Sequence, residues 1–104
     1  MRMIVYNTTY TMPEADARNF VIWVNESLLP LAARGDMLAR PRLLRVLSHR
    51  DQDSECFSLQ FETDSTATLH RWHAQHGQQA SQDLQRLFGG RVLGFSTILE
   101  PVEA

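Results

Sequence analysis

Three histidines, His70, His73 and His76, stand three residues apart. On a helix turning about 100° per residue, His73 falls about 40° and His76 about 20° from Leu69. Both lie within an apolar stripe that also holds Trp72 and Ala80. A pair at this spacing can share a metal ion or act as acid and base, because imidazole titrates near neutrality. No carboxylate or cysteine completes a ligand set at suitable spacing, so no metal is expected and packing in or beside the core is the favoured reading. As candidate catalytic residues, His76 comes before His73, because Gly77 follows it and opens local space.

A second group is polar. Arg45, Gln60, Asn7 and Ser96 stand mid-strand on four expected strands. With aligned registers they line the sheet face away from the helices. Polar groups spread over a mainly apolar wall suit an organic acid or a polar aromatic compound. Trp72 and Trp23 complete the candidate ligand-binding set. The competing reading is a polar interface between subunits that holds no ligand.

Other chemistry is weakly represented. Cys56 is the one cysteine, with neither a helix N-terminus nor a local nucleophile signature beside it, so a buried inert thiol is expected. Asp51 and Asp53 lack the further ligands of a calcium loop and read as a turn. No nucleophile elbow is present. All basic residues are arginine, which excludes Schiff-base chemistry, pyridoxal-phosphate attachment and a phosphate-loop lysine. No cofactor is expected.

The elements that must position these residues follow from pattern. The 104 residues allow one domain with one core, expected across 1–104. Residues 3–11 alternate and are β-branched or aromatic, which reads as a strand. Thr11-Met12-Pro13-Glu14 has the spacing of a capping box. Ala17, Phe20, Val21, Val24, Leu28 and Leu31 then mark one helical face, which Pro30 should end or bend. Trp23 and Ile22 lie off that stripe and suggest a partner surface.

Residues 42–49 and 55–63 read as strands joined by the turn residues Asp51 to Ser54. Phe57, Leu59 and Phe61 point one way; Cys56, Ser58, Gln60 and Glu62 point the other. Asp64 or Ser65 caps a second helix with the stripe Leu69, Trp72, Ala80, Leu84 and Leu87, stopped by Gly89-Gly90. Residues 91–99 form the last strand.

The order βαββαβ predicts an α+β, ferredoxin-like fold, a four-stranded antiparallel sheet with both helices on one face. The other face must meet water or a partner. Strands one and four carry apolar residues in both registers, Val5 and Tyr6, Val92 and Leu93, Ile98 and Leu99, so a second copy of the chain is the economical cover. RNA-recognition modules share this order, but their third strand exposes stacking aromatics where Ser58, Gln60 and Glu62 stand here. The net charge of −2 also disfavours a phosphate-binding surface, so no nucleic acid is expected. No apolar run approaches a membrane span and no signal peptide is visible, so a cytoplasmic protein is expected.

The chain also resembles a family of small bacterial proteins known as domain-of-unknown-function family 4286, similar in turn to the dimeric α+β barrel superfamily. The resemblance covers nearly the whole chain. It rests on Val5-Tyr6-Asn7-Thr8-Thr9 in strand one, on Phe20, Trp23, Glu26 and Pro30 in helix one, and on Gly35. It continues through Arg42-Leu43-Leu44-Arg45-Val46-Leu47, Ser58-Leu59-Gln60-Phe61, Phe88-Gly89-Gly90-Arg91 and Phe95-Ser96-Thr97-Ile98-Leu99-Glu100. Leu28 replaces a histidine common in the family, and Ser96 an arginine. The resemblance implies the barrel fold and a homodimer.

The expected function is binding of a small polar organic molecule in a sheet-lined cavity of a homodimer. One alternative is a cofactor-free enzyme of the monooxygenase or isomerase type, with His76 or His73 as base and Arg45 holding an anionic substrate. Another is a structural or interaction dimer without ligand.

Overall fold

The computed structural model describes residues 3–102. Four strands, β1 (Ile4–Pro13), β2 (Ala39–Arg45), β3 (Ser54–Thr63) and β4 (Leu93–Leu99), form one antiparallel sheet in the order β2-β3-β1-β4. The first helix joins β1 to β2 and consists of α1 (Glu14–Trp23), a π-turn (Val24–Leu28) and α2 (Leu29–Ala32). The second joins β3 to β4 and consists of α3 (Thr66–Trp72), a π-turn (His73–Gly77) and α4 (Gln78–Phe88). This is the ferredoxin-like arrangement expected from the sequence. Among the described residues no helix is long and apolar enough to cross a membrane.

Strand alternation decides the two faces. In register, Tyr6 pairs with Phe61 and Ile98, and Tyr10 with Phe57 and Gly94. Met12, Phe57, Leu59 and Phe61 on this face are buried against Phe20, Trp23, Val24 and Leu28 of the first helix and Leu69, Trp72 and Phe88 of the second. Phe20 sits at the centre, stacked on Phe57 at 5.7 Å and tilted against Tyr10 at 4.9 Å. Burial of aromatic area of this kind supplies most of the driving force in a domain this small. Gly94 lets Tyr10 lie over β4, because a Cβ there would come within 3.0 Å of the tyrosine ring.

The π-turns correct several expectations. Pro30 neither ends nor sharply breaks the first helix. A proline ring ordinarily clashes with the carbonyl four residues earlier. Here the backbone widens just before it, so that the Leu29 N–H bonds to the Val24 carbonyl, five residues back. In the second helix the extra residue per turn delays the apolar stripe by one position. Leu69, Trp72 and His73 are therefore followed by Gly77, Ala80, Leu84 and Phe88, so Phe88 is buried and Leu87 is exposed. Trp23 likewise belongs to the core at 6% exposure, while Ile22 remains outside.

Three boundaries also differ. β1 continues through Thr11 to Pro13, where Thr11 Oγ1 donates to Cys56 Sγ at 3.7 Å, so no capping box forms. β2 starts three residues earlier than expected and ends at Arg45, with an irregularity between Ala39 and Arg42 where Arg40 takes φ 52°. Beyond it the chain turns, with the His49 N–H on the Val46 carbonyl and the His49 ring on Ser54 Oγ at 2.6 Å. β4 starts at Leu93 because residues 89–91 form a single tight turn. The Ser65 cap does form, with its hydroxyl accepting from the Thr68 N–H at 3.1 Å.

The helix-free face is divided. Its centre is polar: Ser58 donates to Asn7 Oδ1, Gln60 Nε2 donates to Ser58, and Asn7 Nδ2 donates to Thr9 and Thr97. Its β4 side is apolar, with Leu93 67%, Phe95 63% and Leu99 46% exposed.

Candidate functional site

Between the sheet and the second helix lies a cavity of about 290 Å³. Tyr6, Thr8 and Tyr10 of β1 form its floor with Gly94 and Ser96 of β4. Trp23 and Leu28 of the first helix close one side. Trp72, His73, Gly77, Ala80, Ser81 and Leu84 of the second close the other. The β1 floor is unusual for a core-facing register, because every second residue carries a hydroxyl.

Those hydroxyls are ordered into one chain. His73 Nδ1 lies 3.3 Å from the Leu69 carbonyl. A carbonyl only accepts, so Nδ1 carries the proton and Nε2 is the acceptor nitrogen of the neutral ring. Tyr6 O–H, 3.1 Å from Nε2, therefore donates to it. Its single proton spent, Tyr6 accepts from Ser96 Oγ–H at 3.1 Å, and Ser96 in turn accepts from Thr8 Oγ1–H at 2.9 Å. Thr8, Ser96, Tyr6 and His73 thus pass donors in one direction, ending on imidazole.

The ring environments are consistent with this order. His73 stands edge-on to Tyr6 at 5.2 Å and to Trp72 at 5.4 Å. Desolvation, aided by the neighbouring charge of His70, holds its pKa below the ordinary histidine value. The neutral, accepting form is therefore favoured. Burial, with Tyr6 nearby, pushes the Tyr10 phenol up to about 12, so it stays protonated. The indole Nε1 atoms of Trp23 and Trp72 are buried and find no hydrogen-bond partner among the described residues.

The structure distributes the residues singled out from sequence over several places. His73, Ser96, Trp72 and Trp23 meet at the cavity. His76, expected ahead of His73, packs beside the Trp72 ring at 6.2 Å and is not part of the cavity wall. The π-turn that contains both histidines rotates His76 away and brings Gly77 in. Asn7 and Gln60 are register partners and share the helix-free face. Ser96 is opposite Thr8, one residue out of step with Asn7, and so projects to the other face. Arg45 lies on the outer strand with its guanidinium 5.5 Å over Phe57 and 3.3 Å from Glu55. The four polar residues therefore do not line one surface. Among the described residues, no three His, Cys, Asp or Glu side chains converge as metal ligands.

Tyr6, Thr8 and Tyr10 are the site residues that sequence reasoning passed over. Their signal was present in β1: three hydroxyl-bearing residues occupy the register that also carries the buried Met12.

The family of this chain follows from a match over residues 3–102. The chain belongs to the family described as domain of unknown function DUF4286. Among curated proteins none matches. Among solved structures, this DUF4286 chain is similar to an ethyl tert-butyl ether d (ethd) family protein from Bacillus halodurans. The TM-score is 0.72 at 17% identity, covering 96% of this chain and 99% of that one. It is also similar to a monooxygenase from Streptomyces coelicolor solved with nanaomycin D, with TM-score 0.70, 12% identity and coverage of 99% and 90%. A dimeric ferredoxin-like protein from an uncultured marine organism gives TM-score 0.69, 14% identity and coverage of 97% and 96%. At such identities the likeness is one of fold.

Proposed function

We propose that this DUF4286 protein is a homodimer that binds a small polar organic molecule in the cavity between its sheet and its second helix. The observation that carries this reading is the Thr8–Ser96–Tyr6–His73 chain, which forms one polar wall of a cavity whose apolar lining includes Trp23, Leu28, Trp72 and Leu84. A few placed polar groups in an apolar concavity are what fixes the orientation of a small ligand. The volume suits a molecule of one or two rings.

Dimerisation is supported by the helix-free face. Leu93, Phe95 and Leu99 form an exposed apolar strip on an edge strand that bears no charged residue, the kind of edge that invites pairing. The dimeric ferredoxin-like protein of similar fold lends the same reading weight.

A second reading is a cofactor-free enzyme in which His73 draws a proton through Tyr6. It is favoured by the neutral, accepting state of His73 and by the monooxygenase of similar fold. In this reading Tyr6 touches the substrate and His73 is the base behind it.

Calorimetric titration with two-ring aromatics, comparing the native chain with Leu84→Trp, tests the ligand site. Leu84 lines the cavity and is partly buried, so tryptophan there fills space that a ligand needs. Binding by the native chain and loss of at least tenfold in affinity for Leu84→Trp are expected. Equal affinity in both would place any ligand elsewhere.

A further inference from the structure

The protons of the cavity chain are already committed. Thr8 O–H goes to Ser96, Ser96 O–H to Tyr6, Tyr6 O–H to His73 Nε2, and His73 Nδ1–H to the Leu69 carbonyl. What remains on this wall is acceptor capacity, the unused lone pairs of three hydroxyl oxygens. A ligand that engages the wall without breaking the chain must therefore donate a hydrogen bond to it.

Charge narrows the class further. Among the described residues that line the cavity there is no Arg, Asp or Glu. The arginine and carboxylate side chains recorded in ion pairs are spent elsewhere, Arg45 with Glu55, Arg91 with Asp16, Arg86 with Asp83 and Arg40 with Glu62. An ionised ligand would lose water in this site and gain no counter-charge. The aromatic walls, Trp23 and Trp72 beside Tyr6 and Tyr10, favour a flat ring system. Tyr10 and Ser81 also line the cavity, and either hydroxyl can donate to a ligand oxygen whose own O–H goes to the wall.

We infer that the cavity selects an uncharged hydroxyaromatic molecule, a phenol or naphthol, whose O–H donates to the Tyr6–Ser96–Thr8 oxygens. This deepens the proposed function and rests on the cavity being a ligand site. It departs from the anionic substrate that Arg45 was expected to hold, since Arg45 stands outside the cavity.

The test uses the full chain and three probes of two-ring skeleton, titrated by calorimetry at pH 7. 1-Naphthol donates a hydrogen bond, 1-tetralone only accepts one, and 1-naphthoate is ionised. The inference expects 1-naphthol to bind at least about fivefold tighter than 1-tetralone and at least about tenfold tighter than 1-naphthoate. In Tyr6→Phe the preference for 1-naphthol over 1-tetralone should shrink at least about threefold, with the fold checked by circular dichroism. If Tyr6→Phe fails to fold, Ser96→Ala, which removes another oxygen of the same wall, is expected to narrow the preference in the same sense. Binding of 1-tetralone or 1-naphthoate as tightly as 1-naphthol overturns the inference while leaving the cavity a ligand site. Binding of none of the three overturns the ligand site and this inference together.

Discussion

Tyr6 and His73, 67 positions apart in the chain, meet through a hydrogen bond of 3.1 Å and an edge-on ring contact of 5.2 Å. The first is fixed by the pleat of β1 and the second by the wide turn of the second helix. Their contact joins the sheet to that helix at the cavity.

Removing the Tyr6 hydroxyl leaves His73 Nε2 and Ser96 without their partner. Since His73 is solvent-exposed, water replaces much of the loss. Tyr6→Phe is expected to lower stability by about 1 kcal/mol in urea unfolding. A loss above about 3 kcal/mol would mean that the hydroxyl does more than this chain requires.

His73 should make stability depend on pH. Its pKa is lowered in the folded state, chiefly by desolvation, so below the ordinary histidine value the unfolded chain binds more protons than the folded one. Stability therefore holds above about pH 6.5 and falls as the pH drops from there toward the folded value. Thermal unfolding at pH 7.5 and pH 5.5 should show this fall, and His73→Gln should reduce it. The same fall in His73→Gln would assign the effect to other groups.

Gly94 is expected to tolerate no side chain without cost. A Cβ there meets the Tyr10 ring at 3.0 Å, so the ring must shift within the cavity floor. Gly94→Ala should destabilise by about 1–3 kcal/mol and weaken binding of 1-naphthol. Unchanged melting temperature and affinity would show that Tyr10 yields freely.

The apolar strip on β4 gives a test of self-association. Phe95→Glu puts a charge where a side chain is 63% exposed in the single chain. If this strip is the dimer interface, sedimentation should show the native chain as a dimer and Phe95→Glu as a folded monomer, with the monomer's own stability little changed. A native chain that sediments as a monomer at high concentration would remove the dimer from the proposed function.

Much of this architecture could be read along the chain because it is locally encoded. The two-residue alternation of Phe57, Leu59 and Phe61 sorts β3 into faces whatever its neighbours do. Ser65 caps its helix through a hydroxyl three residues from the N–H it accepts. The order of strands and helices then leaves few sheets to choose from. The residues of the cavity were less legible. Ser96 joins Tyr6 and Thr8 rather than Asn7 because β4 pairs with β1 in one register, and a shift of one residue would reverse its face. His73 lines the cavity, while His76 is turned out of its wall, because a π-turn changes the helical phase between them. Strand faces, the Ser65 cap and element order were determined by the sequence alone, through interactions spanning a few residues. Strand register and helix phase were decided by the tertiary structure, because each is settled by packing between segments far apart in the chain.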